Sequence, residues 1–312
     1  MQNLSVDLVI PVYNEAGVVE QTHANLRAVI DALPYTFSII YVDDGSSDET
    51  VASLESLGDA RVRILELSRN FGHQAALTAG MDASQGDVVI SLDADGQHPP
   101  EMIPQMIALI VQGYDVVQAQ RIEEQKISFK KISSDMFYSF LNKISGTYVQ
   151  PGAADFRALS RQAVDALKAM PEYHRFLRGM ISWIGFPSVI LPYREPKRIS
   201  GASKYSLGKM ARLASDAIFS FSLLPLYIGL SMGGLFFLLA FGQIIYVLTF
   251  WVKGTSDQLA PGWSSLLFFL LIASGIIMVL LGFIGIYVGY IFQEVKRRPV
   301  YLLKQRDKKN NA

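Results

Sequence analysis

The sequence predicts an α/β domain with a mostly parallel β-sheet, followed by two membrane-spanning helices. Short apolar runs alternate with helical patterns over the first 120 residues, and two long uncharged runs lie in the last third of the chain. Strands this apolar, separated by helices, are typical of a parallel sheet covered on both faces. Such sheets bind ligands at the carboxyl ends of their strands.

The strands and helices of the predicted domain follow one another in order. The strands are expected at Val6–Val12, Phe37–Val42, Val62–Leu67, Val88–Leu92 and Val116–Ala119. The helices between them are expected at Ala16–Leu33, Asp48–Ser56, His73–Ser84 and Pro100–Gln112. From Arg121 to Tyr193 the pattern is less regular. Apolar residues at helical spacing between Phe129 and Ile144 predict a helix, either packed on the sheet or lying on a membrane surface.

Composition limits the function classes. The chain has 312 residues, 28 acidic and 28 basic, so its zero net charge does not support a nucleic-acid partner. It has no cysteine, which excludes disulfides, thiolate metal sites and a cysteine nucleophile. No basic segment precedes the first apolar run, which breaks at Pro11, so we predict no signal peptide and a cytoplasmic first domain.

The two uncharged runs, Leu223–Val252 and Ser264–Gln293, each exceed the roughly 20 residues needed to cross a bilayer. Both outer flanks are much more basic than the link between the runs, which predicts a hairpin with both ends in the cytoplasm. The expected organisation is a catalytic domain at 1–200, an amphipathic juxtamembrane helix at 201–222, spans at about 223–252 and 264–293, and a basic tail at 294–312. Glycines such as Gly229 and Gly275 allow close helix contacts, including contacts in a homo-oligomer.

An acidic motif closes the fourth predicted strand. Asp93 and Asp95, one residue apart at a strand end, can both reach one hard cation, and Gln97 can add an amide oxygen. Mg²⁺ or Mn²⁺ prefers such oxygen ligands and keeps coordination sites for phosphate. Two aspartates one residue apart, taken alone, often mark only a polar loop. Its position after a strand favours a metal that neutralises a leaving diphosphate.

Two further polar loops follow the first and second strands. In Asp43–Ser46, a carboxylate can accept a hydrogen bond from a base, while Ser47 or Asp48 caps the next helix. Within Pro11–Glu15, Tyr13 can stack on a base, and Glu15 can bind a ribose hydroxyl or cap a helix.

The third predicted helix begins in Arg69–Gln74. Its first N–H groups, together with Arg69, suit an anion. His73 in this segment can be structural or functional.

Together these segments resemble the inverting family 2 glycosyltransferases with the GT-A fold, over the whole chain. The resemblance is strongest to the subgroup that glycosylates polyprenyl phosphates, including dolichyl-phosphate mannose synthases and bacterial undecaprenyl-phosphate glycosyltransferases. The matching segments are Val9–Glu15, Asp43–Asp48, Asp93–Pro100, Asp155–Arg157, Arg175–Gly179 and Gly201–Tyr205. The sequence departs from the subgroup at Lys130, where relatives carry arginine, and at Gly96, where many carry a larger apolar residue.

The resemblance implies a role for each matched position. Residues implied to hold the nucleotide are Pro11, Tyr13, Glu15, Asp43, Asp44, Asp93 and Ala94. Residues implied to bind Mg²⁺ or Mn²⁺ are Asp93, Asp95 and Gln97. Residues implied to face the acceptor phosphate are Arg121, Lys130, Ser134 and Arg198, with Lys204 near them. Asp155 is expected to orient the acceptor or a sugar hydroxyl, or else to form a structural salt bridge to Arg157 or Arg178.

The expected reaction is attack of a polyprenyl-phosphate oxygen on the anomeric carbon, with inversion and loss of the nucleoside diphosphate. Because a phosphate monoester is already anionic near neutral pH, a strong general base is unnecessary. The expected donor is UDP-glucose and the expected acceptor undecaprenyl phosphate in a bacterial inner membrane. GDP-mannose, UDP-N-acetylglucosamine and amino-arabinose donors stay open.

Three other functions compete with this interpretation. A processive polysaccharide synthase would carry a Gln-x-x-Arg-Trp motif and more membrane helices, and the sequence has neither. A flippase or transporter would need a polar path, which the two uncharged runs do not offer in one chain, although an oligomer could build one. A catalytically silent nucleotide-sugar sensor would not need the intact acidic motifs.

Overall fold

A computed structural model describes residues 4–122, 153–194, 224–253 and 262–304. The chain divides into two compact units. The first comprises Met1–Ala211 together with Arg298–Ala312, and the second is Arg212–Arg297. The helices predicted within Phe129–Ile144 and at 201–222 lie outside the described residues.

Within the described part of the first unit, seven strands form one sheet in the order β3-β2-β1-β4-β6-β5-β7. The strands are β1 Ser5–Val12, β2 Thr36–Asp43, β3 Val62–Glu66, β4 Val88–Ser91, β5 Val116–Arg121, β6 Ala153–Ser160 and β7 Ser188–Tyr193. Strand β1 is parallel to β2 and β4, and β2 is parallel to β3. Strand β6 is antiparallel to both β4 and β5, while β7 is parallel to β5. The predicted α/β domain is confirmed, and its sheet is mixed, because β6 runs antiparallel to both of its neighbours.

Helices cover both faces of the sheet. They are α1 Val19–Ile30, α2 Thr50–Ser56, α3 His73–Ala83, α4 Ile103–Val111, α5 Arg161–Lys168 and α6 Leu177–Trp183, with a 3-10 turn at Pro100–Met102. The main core joins β1 to α1 and α4 through residues such as Leu8, Leu26 and Met106. Helix α3 approaches β1 closely, because a Cβ on Gly80 would lie 2.2 Å from Val9 Cγ1.

The sequence did not predict β6 or β7. Strand β6 carries Asp155 and Arg157 in buried positions, so it lacks the apolar run that indicates an internal strand. The two charges compensate each other by pairing, which a one-dimensional pattern cannot reveal. Strand β7 lies at the edge of the sheet and contains Pro192, which is tolerated there.

The second unit contains two long helices, α7 Leu224–Val252 and α8 Trp263–Lys296. They are in close contact at Gly229, where a Cβ would lie 1.7 Å from Leu280 Cδ2. The predicted close contact at this glycine therefore occurs within one chain. Among the described residues, the segment Ile272–Lys296, with mean hydropathy 2.3, is long and apolar enough to cross a membrane. In α7 the corresponding apolar stretch, Gly229–Leu239, is shorter.

Candidate active site

Two loops at the carboxyl edge of the sheet are joined by hydrogen bonds. The Asn14 N–H donates to Ser46 Oγ at 2.9 Å, and the Ser47 N–H donates to Asn14 Oδ1 at 2.9 Å. The Glu15 N–H donates to Thr50 Oγ1 at 2.9 Å. Asn14 has φ 53°, a left-handed conformation that asparagine tolerates better than most residues. The loops after β1 and β2 therefore form one connected surface.

The β1 loop presents the predicted base-stacking residue to solvent. Tyr13 is 41% exposed, whereas Pro11, which precedes it, is buried. The main-chain carbonyl of Glu15 accepts hydrogen bonds from the N–H groups of Val18 and Val19. The backbone of Glu15 thus holds the start of α1.

The β2 loop carries two buried carboxylates whose partners come from the chain itself. Asp43 accepts the Ser46 N–H at 3.1 Å. Asp44 accepts the Phe71 N–H at 2.7 Å and the Gly72 N–H at 2.9 Å, immediately before α3. Burial raises the pKa of Asp44, against the effect of these two hydrogen bonds. Two N–H groups of the segment that was predicted to suit an anion are therefore occupied by a side chain of the protein.

The loop after β4 turns sharply between Asp95 and Gln97, two of the three predicted metal ligands. Gly96 has φ +76°, and Asp95 Oδ1 accepts the Gln97 N–H at 3.0 Å. The Asp93 N–H donates to His98 Nδ1 at 2.8 Å. Within the described residues, Asp93 Oδ1 is buried and has no hydrogen-bond partner. An acceptor of this kind is costly to bury and is suited to a ligand.

The carbonyl of the intervening Ala94 accepts the Thr22 hydroxyl at 2.7 Å. This bond attaches the acidic loop to α1, and Ala94 itself is buried. Because a carbonyl oxygen can accept a second hydrogen bond, the predicted nucleotide contact at Ala94 stays a prediction.

His98 supports Asp93 and had no predicted role. Its ring stacks on Phe156 with centroids 5.1 Å apart and meets Tyr193 edge-on at 6.3 Å. Because Nδ1 accepts a hydrogen bond, the ring proton resides on Nε2, which lies 3.7 Å from Asp93 Oδ2. A single histidine five residues after Asp93 gives no sequence signal for this packing.

A buried charge cluster lies beside Asp93. Asp155 accepts hydrogen bonds from Arg178 Nε at 3.2 Å and Nη2 at 3.1 Å, and from Arg157. The predicted salt bridge of Asp155 therefore involves both arginines. Burial acts to raise the pKa of Asp155, but Arg178, His73 and Arg157 together hold it well below the usual range. Asp155 is ionised at any pH near neutrality.

His73 connects Asp155 to the acidic loop. Its Nε2 lies 3.4 Å from Asp155 Oδ2 and 3.5 Å from Asp93 Oδ1. Burial disfavours a charged ring, but the charge of Asp93 and the hydrogen bond to Asp155 outweigh it and raise the pKa of His73 to about 9. The first residue of α3 is thus an imidazolium between two carboxylates.

The predicted acceptor-side residues are only partly described. Arg121 is exposed at the end of β5 and pairs in register with Tyr193 of β7. Because β5 and β4 are both antiparallel to β6, Arg121 lies at the same edge of the sheet as the acidic loop. Lys130, Ser134, Arg198 and Lys204 lie outside the described residues.

The side-chain oxygens around Asp93 suit a cation that takes most of its ligands from substrate phosphates and water. In the described ranges, no group of three or more His, Asp or Glu side chains is arranged to hold a metal ion. Within these ranges, Asp93 nevertheless offers a buried oxygen that makes no hydrogen bond and lies 3.5 Å from His73 Nε2. Mg²⁺ characteristically binds through one or two carboxylates, with substrate phosphates and water completing its shell.

Comparison with known proteins identifies the family. The profile of glycosyl transferase family 2 matches residues 7–167, more than half of the chain. The chain belongs to glycosyltransferase family 2. The match spans β1 to α5 and so includes Asp44, Asp93 and Asp155, and the protein is a glycosyltransferase.

Individual relatives extend the similarity along the chain. An uncharacterized glycosyltransferase of Bacillus subtilis, YkcC, is 39% identical, covering 97% of this chain and 94% of its own. The bactoprenol glucosyl transferase of Shigella phage SfII is 35% identical, covering 98% of this chain and 100% of its own. A crystal structure of glucosyl-3-phosphoglycerate synthase from Mycobacterium tuberculosis matches 69% of this chain and 78% of its own, with 17% sequence identity and a TM-score of 0.48.

Proposed function

We propose that this glycosyltransferase transfers a sugar, glucose from UDP-glucose, to a polyprenyl phosphate such as undecaprenyl phosphate. The observation that carries the proposal is the similarity to bactoprenol glucosyl transferases over essentially the full length of both chains. That similarity includes the long apolar helices as well as the catalytic unit. A lipid acceptor also explains why a sugar-transferring domain is joined to apolar helices.

The donor occupies the connected surface of the β1 and β2 loops in this proposal. Tyr13, with its exposed ring, stacks on the base, and Asp43 and Glu15 contact the base and ribose. Asp44 also contacts the nucleotide in this proposal, and its oxygens accept the Phe71 and Gly72 N–H groups that hold the start of α3.

The diphosphate lies against the acidic loop. Asp93, Asp95 and Gln97 would hold Mg²⁺ or Mn²⁺, which when bound neutralises the charge of the leaving diphosphate. His98 fixes Asp93 through its main-chain N–H, and His73 limits the repulsion between Asp93 and Asp155. The chain therefore keeps the carboxylates in place whether or not the donor is bound.

The acceptor phosphate reacts in line with the leaving group. A phosphate oxygen forms the new bond to the anomeric carbon as the bond from that carbon to the diphosphate oxygen breaks, with inversion. Asp155, ionised and fixed by Arg178 and Arg157, orients the acceptor or a sugar hydroxyl. Arg121, Lys130, Ser134, Arg198 and Lys204 offset the acceptor's charge. Positioning and charge balance supply the catalysis.

Both long helices, α7 and α8, cross the membrane in the proposed topology. The domain at 1–200 and the tail at 294–312 then lie in the cytoplasm, with residues 201–222 as an interfacial helix. The basic flanks of the two runs support this orientation. Self-association through the glycine-containing helices is compatible with it.

The test is transfer of radiolabelled sugar into the lipid fraction by the purified full chain, with a panel of nucleotide sugars. UDP-glucose should label undecaprenyl phosphate most efficiently. Asp95→Asn should lower the rate by about 10²–10³-fold, the usual effect of removing one group that stabilises transition-state charge. Asp165→Asn is the control, because Asp165 is exposed on α5. A variant at Asp95 with near-normal turnover would refute the metal assignment.

A further inference from the structure

After α8, the chain rejoins the first unit and pairs with residues at the end of its outermost strand through a short β-bridge. The Ser68 N–H donates to the Leu302 carbonyl at 2.8 Å, and the Lys304 N–H donates to the Glu66 carbonyl at 2.8 Å. These two bonds flank an antiparallel bridge between Leu67 and Leu303. Residues 301–304, named here the edge strap, therefore extend the sheet beyond β3, its outermost strand.

Side chains attach the edge strap to both elements that flank the β3–α3 loop. The Tyr301 hydroxyl donates to Asp82 Oδ2 of α3 at 3.0 Å, and Lys304 Nζ lies 3.4 Å from Glu66 Oε2 of β3. Burial and the charge of Asp82 raise the pKa of Tyr301 to about 12, so this hydroxyl stays a donor near neutral pH. Leu303 is half-exposed. The strap is thus held mainly by polar contacts.

The loop fixed by the edge strap is the one that supports the donor-binding turn. It runs from Ser68 to Gly72, and its last N–H groups bind the Asp44 carboxylate. Gly45 packs directly on its backbone, since a Cβ there would lie 2.5 Å from the Arg69 carbonyl carbon and 2.7 Å from Asn70 N. A shift of this loop must therefore move the turn at Asp44 and Gly45.

We propose that the edge strap is a positioning element for donor binding. It fixes the β3–α3 loop, which in turn fixes the turn at Asp44 and Gly45. Donor affinity then depends on the segment that directly follows the last long helix, with only residues 297–300 between that helix and the strap. The affinity claim depends on the proposed nucleotide-sugar donor. The mechanical link from strap to turn does not.

A matched pair of substitutions at one position isolates the backbone bond. Lys304→Pro removes the N–H that Glu66 accepts, while proline keeps the preceding residue extended, as a strand requires. Lys304→Ala removes the same ammonium group and retains the N–H. A chain that ends at Val300 removes the strap entirely, and a chain that ends at Lys304 is its control.

The readouts are the dissociation constant of UDP with Mg²⁺ and amide hydrogen exchange of the full chain in detergent. Lys304→Pro should weaken UDP binding about fivefold, the effect of one lost backbone hydrogen bond, and Lys304→Ala less than about twofold. Ending the chain at Val300 should weaken it about tenfold or more and leave kcat at saturating donor within about twofold. In the chain that ends at Val300, amide hydrogen exchange should become faster at both 66–72 and 43–46.

Unchanged UDP binding after removal of the strap would overturn the affinity claim. Faster exchange at 66–72 without any change at 43–46 would show that the strap merely covers a sheet edge, and would overturn the mechanical link. If the intact chain binds no UDP, the donor assignment fails, while faster exchange at 43–46 in the shortened chain still supports the strap as a positioning element.

Discussion

Asp44 and Asp93 each follow a strand of the parallel part of the sheet, and as sequence motifs they are equally good candidates for ligand contact. Their surroundings differ. Asp44 accepts N–H groups from Phe71 and Gly72. Asp93 retains a buried oxygen without a hydrogen-bond partner in the part of the chain that the structure describes. The contacts of each carboxylate therefore separate one that accepts N–H groups of the chain from one that keeps an oxygen without a hydrogen bond.

Two histidines that lie beside carboxylates, the buried His23 and the more exposed His73, show the same contrast. His23 lies 3.4 Å from Asp59, yet burial lowers its pKa, because Arg27 and Arg61 counteract the carboxylate. For His73, Asp93 and Asp155 outweigh burial and raise the pKa to about 9. At neutral pH His23 is neutral, whereas His73 carries a charge next to the candidate metal site.

Substitution of Asp93 is expected to have the largest effect on the rate of sugar transfer. Asp93→Asn should reduce sugar transfer by about 10²–10³-fold, because the substitution removes the charge that faces the diphosphate. The melting temperature should fall by only a few degrees, since Asp93 Oδ1 makes no hydrogen bond within the described residues and loses only its ion pair with His73 at 3.5 Å. Parallel assays of transfer and thermal unfolding in detergent check both parts. If Asp93→Asn failed to fold, Asp93 would be a structural residue like Asp44, and the contrast between the two carboxylates would be wrong.

An intermediate effect is expected at Arg178. Arg178→Lys keeps the charge but loses the two-point contact to Asp155, and should lower kcat about tenfold. Arg178→Gln should lower it further, because Asp155 then also loses a neighbouring charge. Steady-state kinetics with donor and lipid varied separately provide the test. Equal activity of the lysine and glutamine variants would contradict the orienting role of Asp155.

The smallest effect on catalysis is expected at Asp44. Asp44→Asn weakens two N–H contacts to a charged acceptor, which are worth about 1.5–3 kcal/mol each at most. It should lower the melting temperature by several degrees and weaken donor binding, with kcat nearly unchanged. Thermal unfolding with and without UDP measures both effects. A large fall in kcat with normal stability would mean that Asp44 touches the reacting groups.

The sequence predicted those parts of the fold that local patterns encode. Apolar runs located β1 to β5, and the position of Asp93 after a strand located the acidic loop. Strand β6 was not predicted, because Asp155 and Arg157 are buried only as a pair. The bond from Asp44 to Gly72 and the pairing of Leu303 with Leu67 join distant residues, so no local pattern reports them.

The central claim is that the chain forms a lipid-linked sugar with the help of the acidic loop. The most direct measurement is glucose transfer from UDP-glucose to undecaprenyl phosphate by the purified chain, before and after removal of divalent cations by a chelator. We expect a lipid-phosphate-linked glucose of inverted anomeric configuration, loss of transfer with the chelator, and recovery when Mg²⁺ or Mn²⁺ is restored. Undiminished transfer with the cations removed, or retention of configuration, would contradict this account.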